Sequence, residues 1–240
     1  MIQVAISYGF GDDNRYNLQW IPPNIQLASY KFDSLIENQD KIIDTLEKSK
    51  TNLLVVHLPL EVLGRDENSM LDVIFKFNQK CACQYFVIHP NKGIEKFLDY
   101  YLENRLFSLK DKYDYKLCIE TFGWKSKKQI RTPLDIMEYC IKHPEFSMCI
   151  DTSHIEEVWF ENKIMRTLLK YTSVIHLSNQ SKKYGKHLPF NSSLGELNLV
   201  KFIKDLKNAY NWDGIIVLEY MPEHQHKLFK NYQYIQRLLE

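Results

Sequence analysis

Acidic and imidazole side chains recur along this sequence at the ends of short apolar runs. The clearest case is the stretch 146–155, where an apolar run is followed by Asp151 and His154, two groups that can bind a metal ion. Other apolar runs end in the same kinds of residue, at His57, His89, Glu120, His176 and Glu219. Carboxylates and imidazoles together suit Mn²⁺, Mg²⁺, Co²⁺ or Zn²⁺, and ligand type alone does not choose among these ions.

The spacing of these endings indicates a structural repeat. Most of them are separated by about 30 residues, which is the length of one strand followed by one helix. Apolar strands that alternate with amphipathic helices predict a parallel sheet covered by helices. The chain has 240 residues, close to the ~250 typical of an eight-fold βα barrel. We therefore expect an α/β fold, a single TIM (β/α)8 barrel domain over residues 1–240, with a first βα unit that is short or irregular.

Periodicity and turn residues place the elements of this barrel. Thr132 is the expected N-cap of a helix whose first turn contains Pro133. Polar segments 9–23 and 178–193 are predicted loops. The predicted strands cover 2–7, 25–30, 52–58, 85–89, 116–121, 146–151, 173–177 and 214–219, and the predicted helices cover 33–48, 70–80, 93–109, 133–142, 161–171, 196–210 and 224–239.

Bulk properties narrow the function classes. The formal net charge of +1 gives no general field for holding nucleic acid, so it favours a small-molecule substrate. No apolar run approaches the ~20 residues that span a membrane. The start of the chain predicts a strand rather than a signal peptide, and five cysteines without a zinc-ribbon spacing agree with a reduced, cytoplasmic setting. A homo-oligomer is compatible with this composition.

The predicted barrel brings the strand ends together. All strands of a closed parallel barrel end on one face, so Glu120, Asp151, His176 and Glu219 should converge there. Three carboxylates in one cavity repel each other and raise their own pKa values unless a cation neutralises them. The sequence thus predicts one divalent metal ion at this face. For His57 and His89 two roles stay open, a direct role at the site or a hydrogen bond to a neighbour in the rim.

These residues resemble the xylose isomerase-like TIM barrel superfamily, which includes sugar phosphate isomerases and epimerases and nucleases of the endonuclease IV type. The resemblance covers most of the chain after about Leu53 and is strongest from Cys118 onward. The motifs that carry it are Ile119-Glu-Thr121, Ile150-Asp-Thr-Ser-His154, Ile175-His-Leu-Ser178, Lys186-His-Leu-Pro189, Ser193-Leu-Gly-Glu196 and Gly214-Ile-Ile-Val-Leu-Glu-Tyr220.

The isomerase and epimerase branch gives our leading hypothesis, a divalent-metal-dependent sugar or sugar-phosphate isomerase or epimerase. The resemblance implies that Glu120 and Glu219 are catalytic and transfer protons through an enediolate. It also implies one ion held by Glu120, Asp151, His176 and Glu219. Substrate contacts are then expected from His57, His89, His154, His187 and Lys182.

The nuclease branch gives the first alternative, a zinc phosphodiesterase that acts on abasic DNA. There the resemblance implies additional zinc ligands at His57, His89 and Glu120, and a trinuclear cluster completed by Asp151, His154, His176 and Glu219. The sequence departs from that pattern, because Pro189-Phe-Asn191 stands where an Asp-x-His pair is expected, and His187 is displaced from it.

Two further departures keep a third hypothesis open. Asn179 replaces an aspartate that is common after His-Leu-Ser, and Leu197 replaces a second glycine after Gly195-Glu196. Both changes are compatible with a barrel that binds a small molecule without turnover, or with a related lyase or dehydratase.

Overall fold

Eight parallel strands close into a barrel in the computed structural model, which describes residues 1–9, 22–29, 31–59, 67–90, 114–121 and 132–240. Strands that follow one another in the barrel are hydrogen-bonded neighbours, and the first strand pairs with the last to close the ring. The barrel strands are β1 (Gln3–Gly9), β2 (Asn24–Ala28), β3 (Asn52–His57), β4 (Tyr85–Ile88), β5 (Lys116–Glu120), β6 (Phe146–Asp151), β7 (Thr172–Leu177) and β10 (Ile215–Leu218), while β8 (Asn179–Ser181) and β9 (Gly185–Leu188) form a separate antiparallel hairpin. The predicted α/β barrel is confirmed.

Small and β-branched side chains fill the interior of the barrel. This layer consists of Ala5, Val55, Val87, Cys118, Cys149, Val174, Ile215 and Val217. Such residues fit the narrow lumen of an eight-stranded barrel, so the interior is a packed core rather than a pore. Burial raises the pKa of the Cys149 thiol to about 12, which agrees with a structural role for this cysteine.

Helices pack their apolar faces on the outside of the barrel. Within the described ranges they are α1 (Phe32–Ser49), α2 (Glu67–Cys81), α3 (Pro133–Lys142), α4 (Asn162–Leu169), α5 (Leu199–Asn208) and α6 (Leu228–Leu239). The predicted cap of α3 is confirmed as a reciprocal pair, because the Asp135 amide donates to the Thr132 hydroxyl and the Thr132 amide donates to the Asp135 carboxylate. No helix among the described residues is both long and apolar enough to cross a membrane.

Three predicted elements differ from the structure. The segment 178–193 is not a simple loop, since it contains the β8–β9 hairpin. Helix α5 begins at Leu199 rather than at 196, because the Asn198 side chain caps it by accepting from the Lys201 amide at 3.1 Å. A 3-10 helix, Pro222–Lys227, precedes α6 and moves the start of that helix to Leu228. The predicted helix 93–109 and the first βα connection, 10–21, lie outside the described residues.

Candidate metal centre

The acidic and imidazole residues singled out by the sequence lie at the carboxyl-terminal mouth of the barrel. His57, Glu120 and Asp151 are the last residues of β3, β5 and β6. His176 is one residue from the end of β7, and Glu219 directly follows β10. The parallel arrangement of these strands therefore brings groups from distant parts of the chain to one cavity.

Four of these side chains form a group that we call the inner group: His57, Glu120, His176 and Glu219. Each offers one donor atom, and these atoms all lie within 4.8 Å of one another. His176 is central, with Nδ1 2.7 Å from Glu120 Oε1 and 3.0 Å from Glu219 Oε2. The structure thus brings three of the four predicted metal ligands together and adds His57, which we had expected to contact substrate.

The two oxygens of Glu120 face different imidazoles. Oε1 faces His176, whereas Oε2 lies 2.8 Å from His89 Nε2 and 3.5 Å from His57 Nε2. The rings of His57 and His89 are themselves in edge contact, with centroids 4.6 Å apart. Glu120 would therefore help to hold a cation at this mouth together with these imidazoles.

The remaining predicted ligand, Asp151, belongs to a second group with His154 and His187, which we call the outer group. One donor atom of each lies within 4.8 Å of the others. Asp151 Oδ1 already accepts from the Ser153 amide at 2.7 Å and from the Ser153 hydroxyl at 2.9 Å. This fixes the carboxylate with Oδ2 3.8 Å from His154 Nε2.

His187 reaches the outer group because of the β8–β9 hairpin. Its backbone is left-handed, with φ of 54°, a conformation that is uncommon for residues other than glycine. The Met221 amide holds it by donating to the His187 carbonyl at 3.1 Å, and the Ser178 hydroxyl lies 3.3 Å from His187 Nδ1. The family pattern made His187 look displaced in the sequence, but the hairpin places its ring beside His154.

A buried amide explains one departure from the family pattern. The Asn179 side chain donates to the carbonyls of Phe190 and Leu197, at 3.1 and 2.9 Å. Its oxygen accepts from the amides of Gln180 and Leu197, at 2.9 and 3.0 Å. An aspartate could not make the two donations, so asparagine is the residue type that satisfies this site.

The Ser193-Leu-Gly-Glu196 motif has a structural role in the same region. A Cβ atom on Gly195 would lie 2.2 Å from Asn179 Cγ, so only glycine fits beneath the asparagine. Glu196 Oε1 accepts from the Lys182 amide at 2.7 Å and from the Ser181 hydroxyl at 3.1 Å. The motif therefore fastens the hairpin that carries His187.

The donor set fits divalent cations. Glu120 Oε2 and Glu219 Oε2 lie against imidazoles of the mouth, at 2.8 and 3.0 Å, whereas the buried Asp151 Oδ2 accepts no hydrogen bond from the part of the chain that the structure describes. Buried carboxylate oxygens are normally satisfied, and a bound cation is one way to satisfy them. Nitrogen and oxygen ligands ~2.1 Å from a tetrahedral ion are separated by roughly 3.4 Å. The 3.5 Å between His57 Nε2 and Glu120 Oε2 is close to this value, whereas the 2.7 and 2.8 Å contacts of Glu120 with His176 and His89 are hydrogen-bond distances.

The charge states at the mouth favour such a site. Burial would raise the pKa of Glu120, but His89 and His176 outweigh it and hold that pKa well below its usual range. Burial likewise opposes ionisation of Asp151, yet the neighbouring His154 and His187 lower its pKa. For His176, burial acts to lower the pKa, whereas Cys149, Glu219 and Glu120 together raise it well above the ordinary histidine value. Both carboxylates are therefore ionised near neutral pH, ready to bind a cation.

Two residues complete the comparison with the sequence. Lys182 is exposed at the turn of the hairpin, and its contact with a substrate stays a prediction. Gln26, in β2, was not expected at the site, although its side-chain oxygen lies 2.8 Å from His176 Nε2. A neutral amide inside an apolar strand gives no signal in a single sequence.

The opposite face of the barrel has a different character. A cavity of about 700 Å³ lies at the amino-terminal ends of the strands, and Lys116, Arg166, Lys170 and Asp213 are among its lining residues. Neither donor group lies there. The chemistry that the residues support is therefore located at the carboxyl-terminal mouth.

Comparison with known proteins agrees with this fold. The family model described as xylose isomerase-like TIM barrel matches residues 75–237. The chain belongs to this family. Its members include proteins of different activity, so membership alone does not select a reaction.

The similar proteins carry names of two kinds, endonuclease and epimerase. A probable endonuclease 4 of Mycoplasmopsis pulmonis (strain UAB CTIP) is 20% identical over 209 residues, which cover 75% of this chain and 73% of the relative. A D-tagatose 3-epimerase-like protein has a TM-score of 0.67 at 13% identity, with 99% of this chain and 100% of that chain covered. Endonuclease IV from Thermus thermophilus has a TM-score of 0.65 at 16% identity, with 98% and 99% covered. At these identities the two structures establish the fold alone.

Proposed function

We propose that the protein is a metal-dependent phosphoesterase whose centre holds more than one divalent ion, with zinc the best match to its ligands. The observation that carries this proposal is the outer group, Asp151, His154 and His187, beside a separate inner group at the same mouth. A single ion would leave one of the two groups without a cation. Two imidazoles and a carboxylate are a typical ligand set for zinc.

The residues of the two groups would have different roles in such a reaction. Bound divalent ions would supply an activated water and a positive clamp on phosphate oxygens. Glu120 joins the inner imidazoles through its two oxygens, Asp151 orients the outer group through its contacts with Ser153, and the hairpin holds His187 in place. The chain's contribution is therefore to fix seven donor side chains in one cavity.

The hairpin next to the outer group supports a phosphodiester substrate. Lys182, Lys183 and Lys186 are exposed on it, and the carboxylate of Glu196, at its turn, offsets one of these three charges. The low overall charge thus coexists with a local positive surface close to His187. We infer that phosphodiesters, with an abasic-site duplex as the first candidate, bind at this mouth.

The second candidate is the sugar or sugar-phosphate isomerase or epimerase expected from the sequence. It is favoured by Glu120 and Glu219, two carboxylates that flank His176 Nδ1 and could exchange protons with adjacent carbons. In that reaction one ion suffices, and His154 and His187 bind substrate hydroxyls. The single ion expected for that reaction had Asp151 as a ligand, but Asp151 groups with His154 and His187 and not with the inner group, which is why we rank this candidate second.

One pair of assays separates the candidates. Zinc-reconstituted protein is incubated with bis(p-nitrophenyl) phosphate and with an abasic-site duplex, and in parallel with ketoses and ketose phosphates in deuterated solvent. We expect phosphodiester cleavage that the variant Asp151→Asn loses. Control variant His143→Ala, altered in the turn before β6, should keep it. Deuterium uptake into a ketose without any phosphodiester cleavage would support the isomerase instead.

A further inference from the structure

Gln26 is a buried polar residue in the wall of the barrel. It lies in the middle of β2 with no exposed surface, where apolar side chains are the rule. Burying an amide without hydrogen bonds is unfavourable in proteins. We therefore expect the Gln26 amide to have hydrogen-bond partners next to the inner group.

The side chain of Gln26 has two partners. Its oxygen lies 2.8 Å from His176 Nε2, and its nitrogen donates to the Ser7 hydroxyl at 3.4 Å. Ser7 is itself fully buried, on the neighbouring strand β1. In this orientation the amide oxygen, which can only accept a hydrogen bond, points at the imidazole, and the Ser7 hydroxyl, which can donate or accept, contacts the nitrogen.

The geometry around His176 makes this orientation chemically important. A neutral imidazole carries one proton, and the nitrogen without it is the one that can bind a metal. An acceptor at Nε2 keeps one proton there, so that zinc would displace only the proton that Nδ1 shares with Glu120 Oε1 at 2.7 Å and Glu219 Oε2 at 3.0 Å. Partners of this kind fix the ring orientation and the tautomer of metal-binding histidines.

We propose that Gln26 is a positioning residue that holds His176 in the Nε2–H tautomer, so that Nδ1 is the metal-binding atom. This inference rests on the proposed metal centre. Gln26 itself touches neither the ion nor the substrate. The reversed amide orientation is the competing arrangement, because it would make Nε2 an acceptor and leave the proton on Nδ1.

The first test measures zinc affinity by competition with a chromophoric chelator. We expect Gln26→Leu to weaken binding about 10- to 100-fold, the usual effect of losing such a partner. Gln26→Glu keeps an acceptor and should stay within about threefold of the wild type.

The matched control is Gln39→Leu. Gln39 is also buried and donates to the Val73 carbonyl at 3.1 Å, but it lies in α1, away from the mouth. This control should lose stability without losing zinc affinity, which separates positioning of His176 from a general effect of removing a buried amide.

The second test reads the tautomer directly. Long-range ¹H–¹⁵N NMR of the zinc-loaded protein should show His176 protonated at Nε2 and bound through Nδ1. A proton on Nδ1, or an unchanged zinc affinity in Gln26→Leu, would overturn the inference while leaving the metal centre intact. A wild-type protein that binds no zinc would overturn the metal centre as well, so the two failures are distinguishable.

Discussion

The Nε2 atoms of His154 and His187 lie 3.2 Å apart, with the carboxylate of Asp151 beside them. His154 follows β6, whereas His187 comes from the hairpin after β7. Two imidazole nitrogens and a carboxylate oxygen from separate segments face one point. The mouth of the barrel therefore contains an outer donor group in addition to the inner one, which favours more than one metal ion over a single ion.

Removal of His187 should separate the two groups functionally. We expect His187→Ala to reduce phosphodiester cleavage by more than the ~10- to 100-fold that loss of a secondary partner causes, and to lower the metal content of the protein. Steady-state kinetics and elemental analysis measure both effects. His226→Ala, in the 3-10 helix before α6, is the matched control, and equal activity in the two variants would remove His187 from the site.

Glu120 should be the most sensitive inner ligand. Its two oxygens face His89, His57 and His176, so Glu120→Gln removes negative charge from every ion that the inner group binds. We expect a larger loss of bound metal than for Glu219→Gln, whose carboxylate lies against His176. Calorimetric zinc titration of both variants tests the order, and a greater loss in Glu219→Gln would contradict the central place of Glu120 in the inner group.

Zinc affinity should rise with pH in the neutral range. The pKa of His176 is raised well above the usual histidine value, so the metal-free protein holds a proton that zinc must displace. At pH values where zinc must displace this proton, zinc affinity rises by about tenfold per pH unit. The low pKa values of Glu120 and Asp151 mean that these carboxylates add no further dependence above about pH 5.

The raised pKa of His176 makes the stability of the metal-free protein fall as pH rises, whereas zinc affinity rises. A raised pKa in the folded state stabilises the protein below the unfolded histidine pKa, and this contribution is lost as pH rises through the folded value.

Calorimetric titration in buffers of different ionisation enthalpy counts the protons that zinc binding releases, and so tests the pH dependence of zinc affinity. Zero protons released at pH 7 would contradict the assignment.

Asn179→Asp should destabilise the protein although it restores the residue type common in the family. The aspartate loses two donations and places a carboxylate against the carbonyls of Phe190 and Leu197. We expect the free energy of unfolding to fall by about 2–5 kcal/mol. Urea denaturation measures this fall, and Asn38→Asp in α1, where the amide donates to the Ser34 carbonyl, is the control with a smaller expected effect. If Asn179→Asp were as stable as the wild type, the four hydrogen bonds of the Asn179 side chain would not be what stabilises the hairpin.

The cap of α3 offers a local test of the fold. Thr132→Ala removes the hydroxyl that accepts from the Asp135 amide and should lower the free energy of unfolding by about 1 kcal/mol. Thr45→Ala, in the middle of α1 with its hydroxyl on the Lys41 carbonyl, should be nearly neutral. Equal losses in the two variants would argue against the capping box.

The barrel itself could be predicted from the sequence because its signals are local. Apolar runs ending in His, Asp or Glu repeat at the length of one βα unit, and the closed parallel barrel follows from that pattern. The Thr132 cap has a local signature as well, a threonine directly before a proline at the start of an apolar-periodic segment. The predicted starts of α5 and α6 were less accurate. The prediction overlooked the Asn198 cap, a local contact with the Lys201 amide, and the 3-10 helix before Leu228 has no periodic signal of its own.

The grouping of the site residues depends on contacts that a single sequence does not reveal. Glu120, His176 and Glu219 could be placed at one mouth, but strand ends alone do not say that Asp151 turns toward His187. That outcome depends on the left-handed backbone of His187 and on the hairpin fastened by Glu196. No sequence pattern marks Gln26, because its proposed role depends on a contact with His176, which is distant in the sequence.

The most direct test is the number of zinc ions that the purified wild-type protein binds. Zinc titration followed by elemental analysis, with Asp151→Asn alongside, gives this number per chain. The two donor groups predict at least two ions in the wild type and fewer in the variant. Saturation at a single ion, unchanged by Asp151→Asn, would contradict the proposed centre.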